Sequence, residues 1–212
     1  MRIHYIIVAV LILNLVVTGY CYPQLPDQIP LHFDAYGEVD RWGGQNTIWL
    51  TALLPVGIYG LLHLIPYVDP RKDSYEKHER GFQLVKVGVI LFLLAIHGFI
   101  LSFSMGYPSD IRPFVLFLVG SLFLLIGNHL PNARQNYTFG IRNPWTLHND
   151  VVWRKAHRVG GWMFAGLGLF SMLAALIAHP TMIHLFIGAT ISVALGLNVY
   201  SYVLHRKVGA QA

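Results

Sequence analysis

Cysteine and charge are what this sequence has least of. A single thiol, Cys21, stands among 212 residues, which excludes an intramolecular disulfide and any zinc site built on several cysteines. Asp, Glu, Lys and Arg make up 12% of the chain, where soluble globular proteins carry about a quarter. The little charge present is also confined. Six apolar runs contain none of it: Tyr5–Tyr22, Thr47–Ile65, Val87–Met105, Pro113–Leu130, Trp162–Ala178 and Met182–Leu204. Crossing a bilayer core takes about 20 apolar residues at 1.5 Å rise each, so these runs have the length of membrane spans. No internal repeat or linker is visible, and the runs leave no room for a separate soluble domain. The expected fold class is all-α, a polytopic transmembrane helical bundle of about six spans. The first run, behind Arg2, also resembles a signal peptide with Val17-Thr18-Gly19 as a cleavage site; its continuation to Tyr22 favours a retained helix.

The bases give the bundle a direction. Arg2, Arg71, Lys72, Lys77, Arg80, Lys86, Arg134, Arg142, Arg154, Lys155, Arg158, Arg206 and Lys207 fall in alternate connecting segments, leaving only Arg41 and Arg112 on the other side. The positive-inside rule assigns the richer side to the cytoplasm, with both termini inside an inner or plasma membrane. The sequence pI of about 9.4 is then loop charge facing lipid headgroups, and direct nucleic-acid binding is not expected.

Three loops carry the polar residues. The external loop, 23–46, holds Pro23, Pro26 and Pro30, which lack amide donors and disfavour a regular helix. Gly37, Gly43 and Gly44 permit turns. Its charge is acidic, with Asp27, Asp34, Glu38 and Asp40 against Arg41. His32, Asp34 and Asp40 are candidate cation ligands, although no fixed spacing joins them; a turn-rich cap whose polar groups satisfy one another is the alternative. The first cytoplasmic loop opens Asp69-Pro70, a helix-start signal with Asp69 as N-cap. The pairs Lys72/Glu76, Asp73/Lys77 and Glu76/Arg80 then suit one solvated helix face. In the second cytoplasmic loop Pro131 ends the fourth span, Gly140 marks a turn, and Thr146 is expected to cap a new helix. Residues Leu147–Val159 read as an interfacial amphipathic helix that turns at Gly160-Gly161 into the fifth span. Trp145, Trp153 and Trp162 suit the headgroup layer.

The run G-N-H-L-P-N-A-R-Q-N-Y-T-F-G-I-R-N-P-W-T-L, followed by V-W-R-K-A-H-R-V-G-G-W, resembles the signature of the SdpI family of bacterial membrane immunity proteins. The outer loop, I-P-L-H-F-D-A-Y-G-E-V-D, resembles the uncharacterised membrane domain that commonly precedes that signature. The resemblance implies two parts: residues 1–65 with the external loop, and residues 66–212 with the signature loop 131–161. It also implies protection against a secreted, membrane-active peptide toxin, in some members coupled to sequestering a cytoplasmic transcriptional repressor. The matching positions are Asn128, Pro131, Asn136, Tyr137, Gly140, Arg142, Pro144, Trp145, Thr146, Trp153, Arg154, His157, Gly160 and Gly161, with Pro30, His32, Gly37 and Asp40 outside. Thr138, Asn143 and His129 depart from the family's usual residues.

No catalytic constellation is evident, and no cofactor is expected. The absence of carboxylates from the spans argues against an intramembrane proton or sodium relay. His97 lies near the middle of the third span and His63 near the end of the second. An intramembrane histidine is either functional or interhelical glue, here alongside Asn14 and Asn198. A membrane enzyme or small-molecule transporter would need His97, His63 and Arg142 to converge in one polar cavity. A purely structural subunit is the third reading. Arg142, Arg154, Lys155 and Arg158 suit anionic headgroups, a phosphate-bearing ligand or an acidic protein surface.

Overall fold

The computed structural model describes residues 2–76, 79–107 and 109–209, and within these six helices are long and apolar enough to cross a membrane. They are α1 (Arg2–Cys21), α2 (Ile48–Val68), α4 (Glu79–Ser104), α5 (Ile111–His129), α7 (Asp150–Ile177) and α8 (Pro180–Gly209); α3 (Asp73–Glu76) and α6 (Pro144–His148) are short. The chain is therefore a mostly helical membrane bundle. Its outer surface is apolar, with Leu13, Leu54, Leu91, Leu176 and Leu195 among many exposed aliphatic side chains. That distribution is expected where the surrounding solvent is lipid.

Two small groups of helices form the bundle. In the first, Ile7 and Leu11 of α1, Tyr59 of α2 and Ile90 of α4 share one buried cluster. A polar set ties the same helices together. Asn14 Nδ2 donates to the Ala52 carbonyl (3.0 Å), and the Thr18 hydroxyl donates to the Asn14 carbonyl (2.7 Å). Having given its proton away, Thr18 accepts from His97 Nε2 at 2.9 Å, while Thr51 meets His97 Nδ1 at 2.9 Å. Both imidazole nitrogens are thus satisfied between three helices, the arrangement that polar side chains adopt when they join membrane helices.

In the second group α5 and α7 lie backbone against backbone. A Cβ on Gly120 would stand 2.7 Å from the Gly168 carbonyl, and one on Gly127 would stand 2.5 Å from the Ala165 nitrogen. Gly161 and Gly168 answer from α7, where added carbons would meet the Gly127 and Gly120 carbonyls at 2.9 and 2.6 Å. Small residues let membrane helices approach this closely, and dispersion then holds them. Helix α7 passes through Gly160 and Gly161 without a turn. At these positions the missing side chain makes room for Ile141 and Pro131, so the expected break is a contact surface. Residues 150–159 of the expected interfacial helix Leu147–Val159 are therefore the first turns of α7 itself, and only the short α6 precedes it. Helix α7 closes at Ala178, whose φ of 50° starts a tight turn into α8.

The loop 23–46 holds a feature that its prolines did not suggest, an antiparallel pair of strands. β1 (Gln28–Phe33) and β2 (Val39–Gly44) pair from Gln28↔Gly44 to Phe33↔Val39, with irregular register around His32. Proline is tolerated in a strand at an edge or bulge. Ile29 is buried with Cys21, Leu25, Ile48 and Leu101, and Phe33 packs edge-on against Phe103. Gln45 Nε2 donates to the Tyr22 and Leu25 carbonyls. The hairpin is thereby fixed to the ends of α1, α2 and α4.

Candidate functional site

The polar residues of the two basic loops come together in one buried knot centred on Asp69, which is only 5% exposed. Its Oδ1 accepts from the Arg71 amide (2.8 Å). Its Oδ2 accepts from the Tyr75 hydroxyl (2.9 Å), the Tyr137 amide (3.0 Å) and the Thr138 hydroxyl (2.8 Å). Asp69 therefore does not start a continuous helix. It caps the end of α2, residues 70–72 form turns, and α3 begins at Asp73. The pairs Lys72/Glu76, Asp73/Lys77 and Glu76/Arg80 lie outside what is described, because they involve Lys77 and the Glu76 side chain. Burial acts to raise the Asp69 pKa, but the four hydrogen bonds outweigh it and hold the carboxyl below its ordinary value. Burial pushes Tyr75 up to about 12, so its hydroxyl stays a donor at neutral pH.

Around this centre the signature loop folds on its own amides. Asn136 Oδ1 accepts from the Thr138 and Phe139 amides (2.9 and 2.6 Å), and Gln135 Nε2 donates to the Thr146 and Leu147 carbonyls. Ser74 donates to the Gln135 carbonyl, a second link between the loops. The cap of α6 is Asn143, not Thr146. Asn143 Oδ1 accepts from the Thr146 amide while the Thr146 hydroxyl accepts from the Asn143 amide, a reciprocal capping box. Asn149 caps α7 by accepting from the Val151 and Val152 amides. Asn143 Nδ2 also reaches α8, donating to Asn198 Oδ1 (3.2 Å) and Ser201 Oγ (2.7 Å).

Trp153 and His157 sit one turn apart on α7, fully buried and stacked at 3.9 Å. Trp153 is not a headgroup anchor; its indole N–H donates to the Ala133 carbonyl at 2.8 Å. The Ile141 amide donates to His157 Nε2 (3.0 Å), so that nitrogen carries no proton. The proton is on Nδ1, which donates to the Trp153 carbonyl (2.8 Å). Gly140 lets the loop pass over this ring: its φ is +111°, and a Cβ there would stand 2.3 Å from Nε2. Trp162 is 78% exposed among lipid-facing residues, while Trp145 packs edge-on against Tyr202.

The knot leaves a basic outer face. Tyr137 is 46% exposed beneath the Arg71 guanidinium (5.3 Å to the ring centroid), and exposed Arg142 donates to the Tyr137 carbonyl. Arg154, paired with Asp150, and Lys155 and Arg158 are exposed along α7; Pro144 and Asn128 are exposed at the same end. At the opposite end His32 Nδ1 meets Asp40 Oδ1 at 2.6 Å across the hairpin. Asp34 is used locally, accepting the Tyr36 and Glu38 amides in the turn that Gly37 completes at φ +85°. Among the described residues no group of three His, Cys, Asp or Glu side chains is placed to hold a metal ion. Nor do His97, His63 and Arg142 share a cavity: His97 is held by Thr18 and Thr51, His63 lines a cavity of its own, and Arg142 lies on the loop surface.

Local signals missed the role of Asp69, whose partners lie up to 69 residues away. They also missed Gln135 and the cap at Asn143. For Asn143 a usable signal exists, since Asn followed by Pro and then Thr three residues on is the capping-box pattern.

Comparison with known proteins matches residues 132–201 to the SdpI/YfhL protein family and residues 9–56 to a domain of unknown function (DUF1648). The chain is 22% identical over 182 residues to "Immunity protein SdpI" of Bacillus subtilis (strain 168), covering 81% of this chain and 84% of that protein. No solved structure matches.

Proposed function

From a chain that joins an SdpI/YfhL-family region to an N-terminal domain of unknown function, we propose an immunity protein that works without catalysis. It protects the membrane it occupies against a secreted, membrane-active peptide toxin. The observation that carries this reading is the pairing of a basic loop platform at one end of the bundle with an acidic hairpin at the other, along a chain similar to an immunity protein over most of its length. The hairpin offers Asp34, Glu38 and Asp40 together with exposed Tyr36 and Trp42. Such a face suits a cationic, amphipathic peptide arriving from outside, by charge complementarity and by aromatic contact. Charge asymmetry supports an inward platform and both termini in the cytoplasm. There exposed Arg142, Arg154, Lys155 and Arg158 suit an acidic surface, which in this reading is a cytoplasmic repressor held at the membrane.

Expression in a toxin-sensitive bacterium tests the proposal. Survival under a panel of membrane-active peptides should rise with the wild-type chain. It should fall with His32→Ala, which breaks the cross-strand pair, or with Arg142→Ala, at unchanged protein level. Wild-type expression that protects against no peptide of the panel refutes it.

A further inference from the structure

Among the described residues Lys86 is the one buried lysine or arginine, only 4% exposed, and its ammonium has no hydrogen-bond acceptor there. Its ammonium stands over the rings of Tyr59 (5.5 Å) and Phe82 (5.8 Å). Those contacts favour a cation, yet they leave three N–H donors unused. An ammonium among helices is costly to maintain without partners; here it borders open space that Glu79 also lines. Two adjoining cavities of about 570 and 520 Å³ share His63, Glu79, Gln83 and Lys86 as lining. These volumes lie in the range of small-molecule sites.

The walls have two characters. Around Lys86 stand His63 and His4, stacked at 5.1 Å, with His4 Nδ1 bonded to the Tyr59 hydroxyl at 2.6 Å. Toward the basic loops the lining carries both signs, Lys72 beside Asp73, with Glu79 common to both cavities. The rim on the bundle surface is apolar and aromatic: Ile3, Tyr5 and Tyr67 are all exposed. The site is thus cationic inside, hydrogen-bond accepting at its mouth and greasy on the lipid side.

We propose that this space binds the headgroup of a membrane phospholipid, a phosphodiester whose polar group carries hydrogen-bond donors. The phosphate lies against Lys86 and His63, as phosphates do with a compact ammonium. Hydroxyl or ammonium donors of the headgroup point to Glu79 and Asp73, and the acyl chains leave past Ile3, Tyr5 and Tyr67. A bare anion would face the two carboxylates unfavourably, and this argues for a lipid with donors over free phosphate.

The full-length protein in detergent, titrated with phosphatidylglycerol, phosphatidylcholine of the same acyl chains, and glycerol 1-phosphate, tests the assignment. Bound lipid is read by native mass spectrometry and by the thermal midpoint. Phosphatidylglycerol should bind and raise the midpoint. Phosphatidylcholine, which lacks headgroup donors, should bind about tenfold more weakly, the size of one lost charge-assisted bond. Lys86→Met should lose phosphatidylglycerol by a similar factor, while its midpoint without lipid equals or exceeds that of the wild type, because an unpaired buried charge is gone. His63→Gln supplies a second weakened variant should Lys86→Met fold poorly. Equal binding of the two lipids, or wild-type affinity in both variants, overturns the proposal. Saturation by glycerol 1-phosphate at lipid-like concentration overturns the choice of lipid as the source.

Discussion

Replacing Asp69 by Ala removes the acceptor for four donors at once: the Arg71 and Tyr137 amides and the Tyr75 and Thr138 hydroxyls. A hydrogen bond to a charged group is worth roughly 1.5–3 kcal/mol, and a donor stranded in the interior costs about 1–3 kcal/mol. The four terms do not add, since the donors share one acceptor and the half-exposed ones turn to water. Large single-site effects seldom pass about 4–5 kcal/mol, which puts Asp69→Ala at roughly 3–5 kcal/mol. Tyr75→Phe removes one of the four and should cost about 1–2 kcal/mol. The double variant should then fall short of the sum. The readout is amide hydrogen exchange across residues 133–146 in detergent, alongside the thermal midpoint. Protection in that loop should collapse while α1 and α2 keep theirs. The effect should also depend on pH with a definite sign. The hydrogen bonds hold the folded pKa of Asp69 below its ordinary value, so its contribution is complete above the unfolded value of about 4 and is lost as pH falls through the folded one. Loop protection should therefore be flat above about pH 4 and decline below it, and Asp69→Asn should lack the decline attributable to this group. Asp69→Ala with loop exchange unchanged, and a midpoint shift worth less than about 0.5 kcal/mol, would refute the placement of this carboxylate at the centre of the platform.

Gly168→Val places carbon against the Gly120 carbonyl and the Leu124 backbone and should sharply reduce the yield of monodisperse protein on size exclusion. Gly166→Val, two residues away with nothing within 4 Å of its Cβ, should not. His97→Ala removes both side-chain hydrogen bonds that join α4 to α1 and α2, while the Thr18 and Thr51 hydroxyls keep their backbone acceptors, and should lower stability by about 1–3 kcal/mol in a thermal assay. If His97 is interhelical glue, survival per molecule of protein in the toxin assay stays at the wild-type level.

The spans were legible because bilayer burial leaves a one-dimensional record: charge is absent for the length of a helix and returns at its ends. The loops kept a poorer record. Thr146 reads as an N-cap by residue type, but Asn143 followed by Pro144 takes that place, and Thr146 becomes its reciprocal partner at the third helical position. Gly160-Gly161 reads equally as a turn or as a close contact, since removing a side chain serves both ends; only the approach of Ile141 and Pro131 decides between them. Trp153 has the composition of a membrane anchor, yet a carbonyl 20 residues earlier in sequence draws it inside. The hairpin was hidden by proline, because Pro30 masks the alternation of Ile29, Leu31 and Phe33. Lys86 counts in the sequence as one more base of a connecting segment. Its burial depends on α2, which the sequence of α4 does not mention.

Six of the fourteen signature positions disappear on folding. Asn136, Thr146, Trp153, His157, Gly160 and Gly161 are buried, and each is committed to a hydrogen bond, a ring stack or a close packing contact within the chain. Their presence therefore specifies a platform rather than a ligand. On the immunity reading proposed above, specificity would rest on what the platform and hairpin expose, Arg142, Tyr137 and Arg154 at one end and Tyr36, Trp42 and the His32–Asp40 pair at the other. Two positions at which this chain departs from the signature it resembles also lie inside the knot. The Thr138 hydroxyl is one of the four donors on Asp69, and the Asn143 amide crosses to Asn198 and Ser201. A threonine at 143 could still cap α6, but it has no second donor arm to reach α8. In this chain, then, the capping residue of the signature loop also fastens that loop to the last helix.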